Sequence, residues 1–370
     1  MTSTCGPPRW TSLPGGVDGW LVTRYADARA VLADPRFVRD PARVARLRGL
    51  PAPRGGRAAT LLHLDAPEHT RVRRAVNPVF TARRAQLHGP MIDELAATLV
   101  ARCQGSGRAD LVCDLAVPLA VGVLCQVAGL PAVDHVRFGP LVRQIHRIDG
   151  GAETGRRTLE AIDALDRYLL ERIAGGAPGV LGELGGAERL SGDEVLALGR
   201  DLLVGGYEST ANLISGGLAL LLAEPGRFER LSREPSLLDA VVEECLRQVA
   251  PFPVLEARYA AEEVEIGGAV FAPGTAVVVD VAAANRDLDR FAAGAAWAPE
   301  GAAGHLSFGH GAHHCLGAVL ARREAQAAVR AVLAFADLRL GCAPDDLVWE
   351  PGLSPTLRAL PVRFTPRADA

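Results

Sequence analysis

The chain contains no lysine: all 40 of its basic residues are arginine, set against 43 Asp and Glu, for a net charge of -3. A balance so near neutrality lacks the electrostatic footprint of a nucleic-acid binder. The missing lysine, beside abundant Ala, Gly and Pro, is most simply the mark of GC-rich coding and assigns no task to arginine. Cysteine is scarce and shows no paired pattern. The residues Cys5, Cys103, Cys113, Cys125, Cys245, Cys315 and Cys342 are odd in number and include no C-x-x-C, which argues against a disulfide framework and for a reducing cytoplasm. No basic segment followed by an apolar run occupies Met1 to Leu13, so neither a leader nor an anchor is expected there. Long hydrophobic runs are nearly absent as well. Leu115 to Val133 is apolar apart from Gln126, but Pro118 and Pro131 interrupt it and Asp114 adjoins it. A buried core helix is expected there, not a membrane span.

What is present is enough for one large core, since 370 residues carry 49% hydrophobic and 22% charged residues. A single domain spanning 1-370 is expected. Gly19 to Thr23 has the content of a strand, and Tyr25 to Ala33 shows helical spacing at Ala28, Val31 and Leu32. Arg43 to Ala59, rich in Pro, Gly and Arg, reads as a mobile loop placed to cover a pocket. Helical patterns dominate from Glu68 to Leu246. Strands cluster between Val254 and Val281, with a hairpin at Val264-Glu265-Ile266-Gly267-Gly268 and a buried strand over Thr275 to Val281, and short strands return from Leu338 to Phe364. The fold class is mainly α with a smaller β-rich part.

One run carries most of the chemistry: Phe308-Gly309-His310-Gly311-Ala312-His313-His314-Cys315-Leu316-Gly317. The stretch Ala318 to Phe335, without Gly or Pro, predicts a helix whose first turn begins beside Cys315. Its free N–H groups and positive dipole end would then favour thiolate, the form that bonds metal. Gly309 and Gly311 permit positive-φ turns and close passage to a flat cofactor, and Phe308 is placed to lie on its face. Two other readings compete on the residues alone. A zinc site would recruit His305, His310, His313, His314 and Cys315, but no second cysteine lies within C-x2-4-C reach. The other is an inert, buried thiol.

The run resembles the haem-binding signature of the cytochrome P450 family, which has Phe-Gly, a second Gly two residues on, and Cys-x-Gly four residues after that. Every place is filled here. The resemblance implies the family's fold and a haem b cofactor, with Cys315 as proximal iron ligand, contacts from Phe308, Gly309, Gly311 and Gly317, and His313 as partner of a haem propionate. Thiolate ligation is this family's way of favouring O–O cleavage.

A second segment fits the same reading. Ser191-Gly192-Asp193-Glu194 is a capping box, and the apolar pattern after it runs to Ala223 before Pro225. At about 1.5 Å per residue that is a helix of roughly 50 Å. Its middle is Gly205-Gly206-Tyr207-Glu208-Ser209-Thr210. Two adjacent glycines cost about 2 kcal/mol of helix propensity relative to alanine, so room for a small ligand and a helix bulge are expected there. The segment resembles the family's oxygen-activating pattern Ala/Gly-Gly-x-Asp/Glu-Thr. That implies Gly205 against the cofactor, Glu208 as the acid and Ser209 as the alcohol where Thr is common, with Thr210 as a neighbouring hydroxyl. Splitting dioxygen requires protons, which such a pair delivers.

The supporting residues rest on the resemblance. Glu244 and Arg247 match the family's E-x-x-R motif, implying a structural role beneath the haem, although the segment Phe291 to Gly304 lacks the Arg that commonly joins them. His69 and Arg73 share a helix face in His69-Thr70-Arg71-Val72-Arg73 and match the family's propionate partners, with Arg258 as a third. Arg71, Arg74, Arg322 and Arg323 would form a basic surface for an acidic electron donor. Phe252, Val254, Leu255 and Leu353 occupy positions that line the family's substrate pocket. The amino-terminal region is shortened, which leaves the usual first helix and strand in doubt.

The expectation is a bacterial, cytoplasmic haem-thiolate monooxygenase without nucleic-acid or membrane partners. It would take O2 and two electrons from a ferredoxin and its reductase to oxidise a small molecule, free, carrier-bound or peptide, in natural-product metabolism. Oxidative coupling is a variant of the same chemistry. The alternative is a haem-thiolate sensor or binding protein without turnover, against which the pair Glu208 and Ser209 counts, because a gas sensor needs no proton delivery.

Overall fold

The computed structural model describes residues 5-13, 16-51, 58-147 and 151-366. The helices that position the site are α1 (Tyr25–Ala33), α2 (Glu68–Val76), α3 (Gly89–Cys103), α4 (Val117–Ala128), α5 (His135–Ile145), α6 (Ala152–Ala174), α7 (Gly192–Gly206), α8 (Glu208–Ala223), α9 (Leu238–Val249) and α10 (Ala318–Val332). Their apolar faces explain their packing. α1 buries Ala28, Val31 and Leu32, one stripe at helical spacing, and its bounds are those the pattern predicts.

α4 is preceded by a π-turn at Val112–Ala116 and ends at Gly129, whose φ of 80° supplies the left-handed residue that stops a helix. The apolar stretch over Leu115 to Val133 is therefore a core helix with its cap. Among the described residues no single helix is long and apolar enough to cross a membrane.

The main core lies where α3, α4, α8, α9 and α10 meet, around Ile92, Leu119, Leu213, Leu218, Val242 and Ala328. A second core under the main sheet holds Val22, Leu32, Phe37, Phe271 and Val277. That sheet has the spatial order Arg9–Ser12, Asp18–Val22, Ala276–Val279, Arg258–Ala260, Phe37–Val38. Its one parallel pairing, Asp18–Val22 with Ala276–Val279, brings the start of the chain against a strand some 250 residues later, and all four residues of Ala276–Val279 are buried. The hairpin turn Gly267-Gly268 has φ of 63° and 80°, the pair of positive values that a two-residue turn demands.

Three expectations need correction. Arg43 to Ala59 is not all loop: Arg43 to Leu47 belongs to the helix Pro41–Leu47, started by Pro41 and by Asp40, whose carboxylate accepts the Arg43 N–H at 2.8 Å. Residues 52-57 lie outside the described residues. The long helix after the capping box is not continuous, because the chain leaves helical geometry at Tyr207 (φ -118°, ψ -40°) and divides it into α7 and α8. A strand ahead of Gly19, left in doubt by the sequence, is present: Arg9–Ser12 pairs antiparallel with Asp18–Val22.

Candidate active site

The cysteine loop is built from backbone hydrogen bonds. Cys315 N–H donates to the Phe308 carbonyl at 2.9 Å, Gly309 N–H to Leu306 at 2.8 Å and His314 N–H to Gly311 at 3.1 Å. Gly309 and Gly311 have the expected positive φ, 71° and 75°. Gly311 has a further reason to be glycine: a Cβ there would sit 2.7 Å from the Leu32 carbonyl oxygen, so the loop seats directly on the end of α1. Phe308 lies 4.5 Å from the Arg322 guanidinium.

Cys315 has open surface, yet burial pushes its thiol up, while N–H groups of Gly317 and Ala318 at the start of α10 and the charges of Arg73 and Arg322 pull it the other way. A group that is accessible but desolvated faces an internal cavity, not bulk water. The histidines of the loop have separate partners. His305 Nε2 lies 3.3 Å from Glu243, and His313 packs on His69 with ring centroids 4.3 Å apart, so they do not converge on a zinc ion.

Around His313 the cavity wall is cationic. Arg258 is 5% exposed and, among the described residues, its side chain makes no hydrogen bond or ion pair; burial, with Arg39 adding to it, pushes its guanidinium down to about 9. Burial, then Arg39, Arg258, His69 and Arg73, push His313 down to about 2. Among the described residues the Nε2 atom of His69 is buried without a hydrogen-bond partner. Arg73 donates to the His314 carbonyl at 2.7 Å and to Asn77 at 3.1 Å, which ties α2 to the cysteine loop. Buried cations and an orphaned imidazole nitrogen ask for an anion. The two propionates of a flat, iron-bearing macrocycle fit that demand, with a thiol available to the iron.

The two glycines of the broken helix serve different ends. A Cβ on Gly205 would meet nothing within 4 Å, so this residue faces open space, whereas a Cβ on Gly206 would lie 2.8 Å from Leu124 of α4. Ser209 Oγ donates to the Gly205 carbonyl at 2.8 Å and Thr210 Oγ1 to Gly206 at 3.4 Å, so both hydroxyls satisfy acceptors at the break.

Glu208 is buried, and its carboxylate contacts Nδ1 of the buried His146, in the turn after α5. The His146 carbonyl accepts the Leu353 N–H at 3.2 Å and its ring lies 5.9 Å from Phe252. Two of the four expected pocket residues thus gather at the acid. Val254 and Leu255 are half-buried and pair through their backbones with Asp280 and Val279.

Glu244 and Arg247 are buried on α9 and bonded twice, at 2.7 Å each. The absent Arg of the Phe291 to Gly304 segment is replaced by Gln248, which donates to Glu244 at 3.1 Å, and by backbone: Arg247 donates to the carbonyls of Asn285, Gly294 and Ala296, while Ala298 N–H donates to Glu244. The basic surface is weaker than the sequence suggests. Arg71 pairs with Glu68 and Glu194, Arg322 with Glu243 and Arg323 with Asp93, leaving Arg74 as the member without an ion pair among the described residues.

Sequence reasoning missed His146, Gln248 and Asp201. His146 and Gln248 left no local signal, and Asp201 stands beside Arg200 in a helix that also carries Asp193 and Glu194, so it does not stand out either.

Comparison with known proteins agrees with this site. The family model described as Cytochrome P450 matches residues 156–335. Cytochrome P450 monooxygenase PikC of Streptomyces venezuelae is 36% identical over 97% of this chain and 88% of its own. Mycinamicin IV hydroxylase/epoxidase of Micromonospora griseorubida is 39% identical over 92% of this chain and 88% of its own. The solved structure of the tirandamycin C-bound P450 monooxygenase TamI matches with a TM-score of 0.86 at 33% identity, over 97% of this chain and 94% of that one. Likeness of this extent, on a mainly helical fold whose cavity presents a cysteine and a cationic nest, makes the chain a member of the cytochrome P450 family, a monooxygenase with haem b as its cofactor.

Proposed function

We propose that this monooxygenase works as one domain over residues 1-370, in the cytoplasm, on a small organic substrate of natural-product type, with Cys315 as the iron ligand and electrons from a ferredoxin and its reductase. The observation that carries the reading is Cys315 itself, accessible yet desolvated at the start of α10. The substrate class rests on relatives whose names carry mycinamicin IV and tirandamycin C.

When bound, haem supplies the iron that takes O2 and, with two electrons, inserts one oxygen atom into the substrate. His69, Arg73, Arg258 and His313 hold the propionates, and Phe308, Gly309, Gly311 and Gly317 shape the thiolate side. Gly205 leaves room for dioxygen. Glu208 holds a proton at Oε2, shared with His146 Nδ1, and delivers it inward by turning its carboxyl toward Gly205. Ser209 Oγ is the hydroxyl that receives it. Thr210 is buried with its hydroxyl on Gly206 and stabilises the helix break in place of a second relay. Phe252, Val254, Leu255 and Leu353 give the cavity its apolar lining, while Glu244 and Arg247 stiffen the segment beneath the haem.

The carbon monoxide spectrum of the dithionite-reduced protein is expected to show the red-shifted Soret band of a thiolate-bound haem, and NADH consumption with a surrogate ferredoxin system and a substrate panel should yield product. A band without product from any substrate would favour a sensor or binding protein.

Two variants test the relay. Serine lacks the methyl that fixes a threonine rotamer, so Ser209→Thr is expected to lower the hydrogen peroxide released per NADH by roughly twofold or more; an unchanged yield removes Ser209 from the relay. His146→Ala is expected to raise that yield while leaving the carbon monoxide band in place. If coupling stays native, His146 serves only to pack the turn after α5.

A further inference from the structure

The relay leaves one carboxylate of the cavity unused. Asp201 lies one turn before Gly205 and two turns before Glu208, on the same face of the broken helix. Gly205 on that face borders open space. Asp201 is itself partly accessible, yet burial pushes its carboxyl up to about 6, against the pull of the Leu61 N–H, the Thr60 hydroxyl, His63 and Arg200. With open surface of its own, one turn from the space that Gly205 leaves clear, Asp201 borders that same space.

Among the described residues the donors to Asp201 are neutral: the Leu61 N–H at 2.8 Å from Oδ2, and the Thr60 hydroxyl. Each nearby basic group is engaged elsewhere. Arg200 lies 3.2 Å from Asp166. His63 engages Thr60 through Nδ1 at 2.9 Å and Glu256 through Nε2 at 3.0 Å. Arg39 reaches the same Glu256 at 2.6 Å. Among the described residues Asp201 therefore has no ion-pair partner. A leucine or valine would suit this position at no desolvation cost, whereas a carboxylate in a poorly solvated wall is costly until a cation meets it.

We propose that Asp201 anchors a substrate carrying a protonated amine, through a charge-assisted hydrogen bond to the carboxylate oxygen that faces the cavity. The proposal rests on the haem reading of this cavity and narrows its substrate class. A neutral hydroxyl would add only a third neutral donor, while an ammonium also removes the uncompensated charge. The competing role for Asp201 is structural, a clamp that holds residues 60-63 against α7 through the Leu61 N–H. A clamp would affect all ligands alike.

The test uses the haem-loaded enzyme at neutral pH and two probes of similar length, N,N-dimethyldecylamine, which is protonated and too crowded at nitrogen to ligate iron well, and the neutral decyl ethyl ether. Calorimetric titration is expected to show the amine binding at least about tenfold more tightly than the ether, and Asp201→Asn is expected to erase that preference while ether binding and the carbon monoxide band persist. Asp201→Leu, which removes the clamp as well, should also lose the preference. A native protein that shows the band but no amine preference overturns the proposal alone, as does a preference that survives in Asp201→Asn. A native protein without the band overturns the haem reading and this proposal with it.

Discussion

Cys315→Ala is expected to lose the red-shifted carbon monoxide band and turnover on the order of a thousandfold or more, with the fold largely retained. The reason is local. The sulfur opens into a cavity where burial disfavours its charge, and the N–H groups of Gly317 and Ala318 with Arg73 and Arg322 offset that penalty. Iron of a bound haem would complete the offset if Cys315 is its ligand, as proposed. Removing the sulfur deletes one small side chain that has open surface, so little packing is lost. The propionate partners stay in place, and haem is expected to bind more weakly, with an ordinary Soret position after carbon monoxide is added. Cys342→Ala, which alters a half-buried thiol in another part of the chain, is the control and should keep the band. A persistent red-shifted band in Cys315→Ala would assign the ligand to another cysteine.

What the sequence made legible was chemistry that is local along the chain. The glycines around Cys315, the capping box at Ser191, the bounds of α1 and the Gly267-Gly268 turn each depend on neighbours within a few residues, and each is found in the structure. What stayed hidden depends on pairs far apart. His146 meets Glu208 across 62 positions, and nothing in Gln144-Ile145-His146-Arg147 distinguishes that histidine from a surface one. Gln248 completes the Glu244 and Arg247 pair only because the chain returns beneath α9 near Ala295 and Ala296. The glycine pair signalled a bulge, and the helix does break at Tyr207; what stayed hidden is the packing around it, the Tyr207 ring 5.1 Å from His135 and Gly206 against Leu124. Charge was legible in number but not in pairing. Arg71, Arg322 and Arg323 look like a free basic face until their carboxylates are seen on other helices.

Arg247→Met is expected to be the most damaging change away from the haem cavity, leaving little protein able to bind carbon monoxide and a much lower urea midpoint. Both charges of the pair are out of water, with side chains 0% and 1% exposed. Breaking a buried pair on one side typically costs about 3–5 kcal/mol, because the remaining charge, here Glu244, keeps its desolvation cost and loses its partner. Arg247 also serves the carbonyls of Asn285, Gly294 and Ala296, and each acceptor left unsatisfied adds about 1–3 kcal/mol. Against a total stability of roughly 5–15 kcal/mol, the sum is large enough to unfold most of the chain. The double replacement of Glu244 and Arg247 by Met removes the orphaned charge but not the orphaned carbonyls, so it should recover only part of the loss. That partial rescue separates a stabilising pair from a backbone organiser. Full rescue would mean that the charges mattered only to each other; an Arg247→Met protein with a native urea midpoint would mean that Gln248 and the surrounding backbone already hold the segment beneath α9 without it.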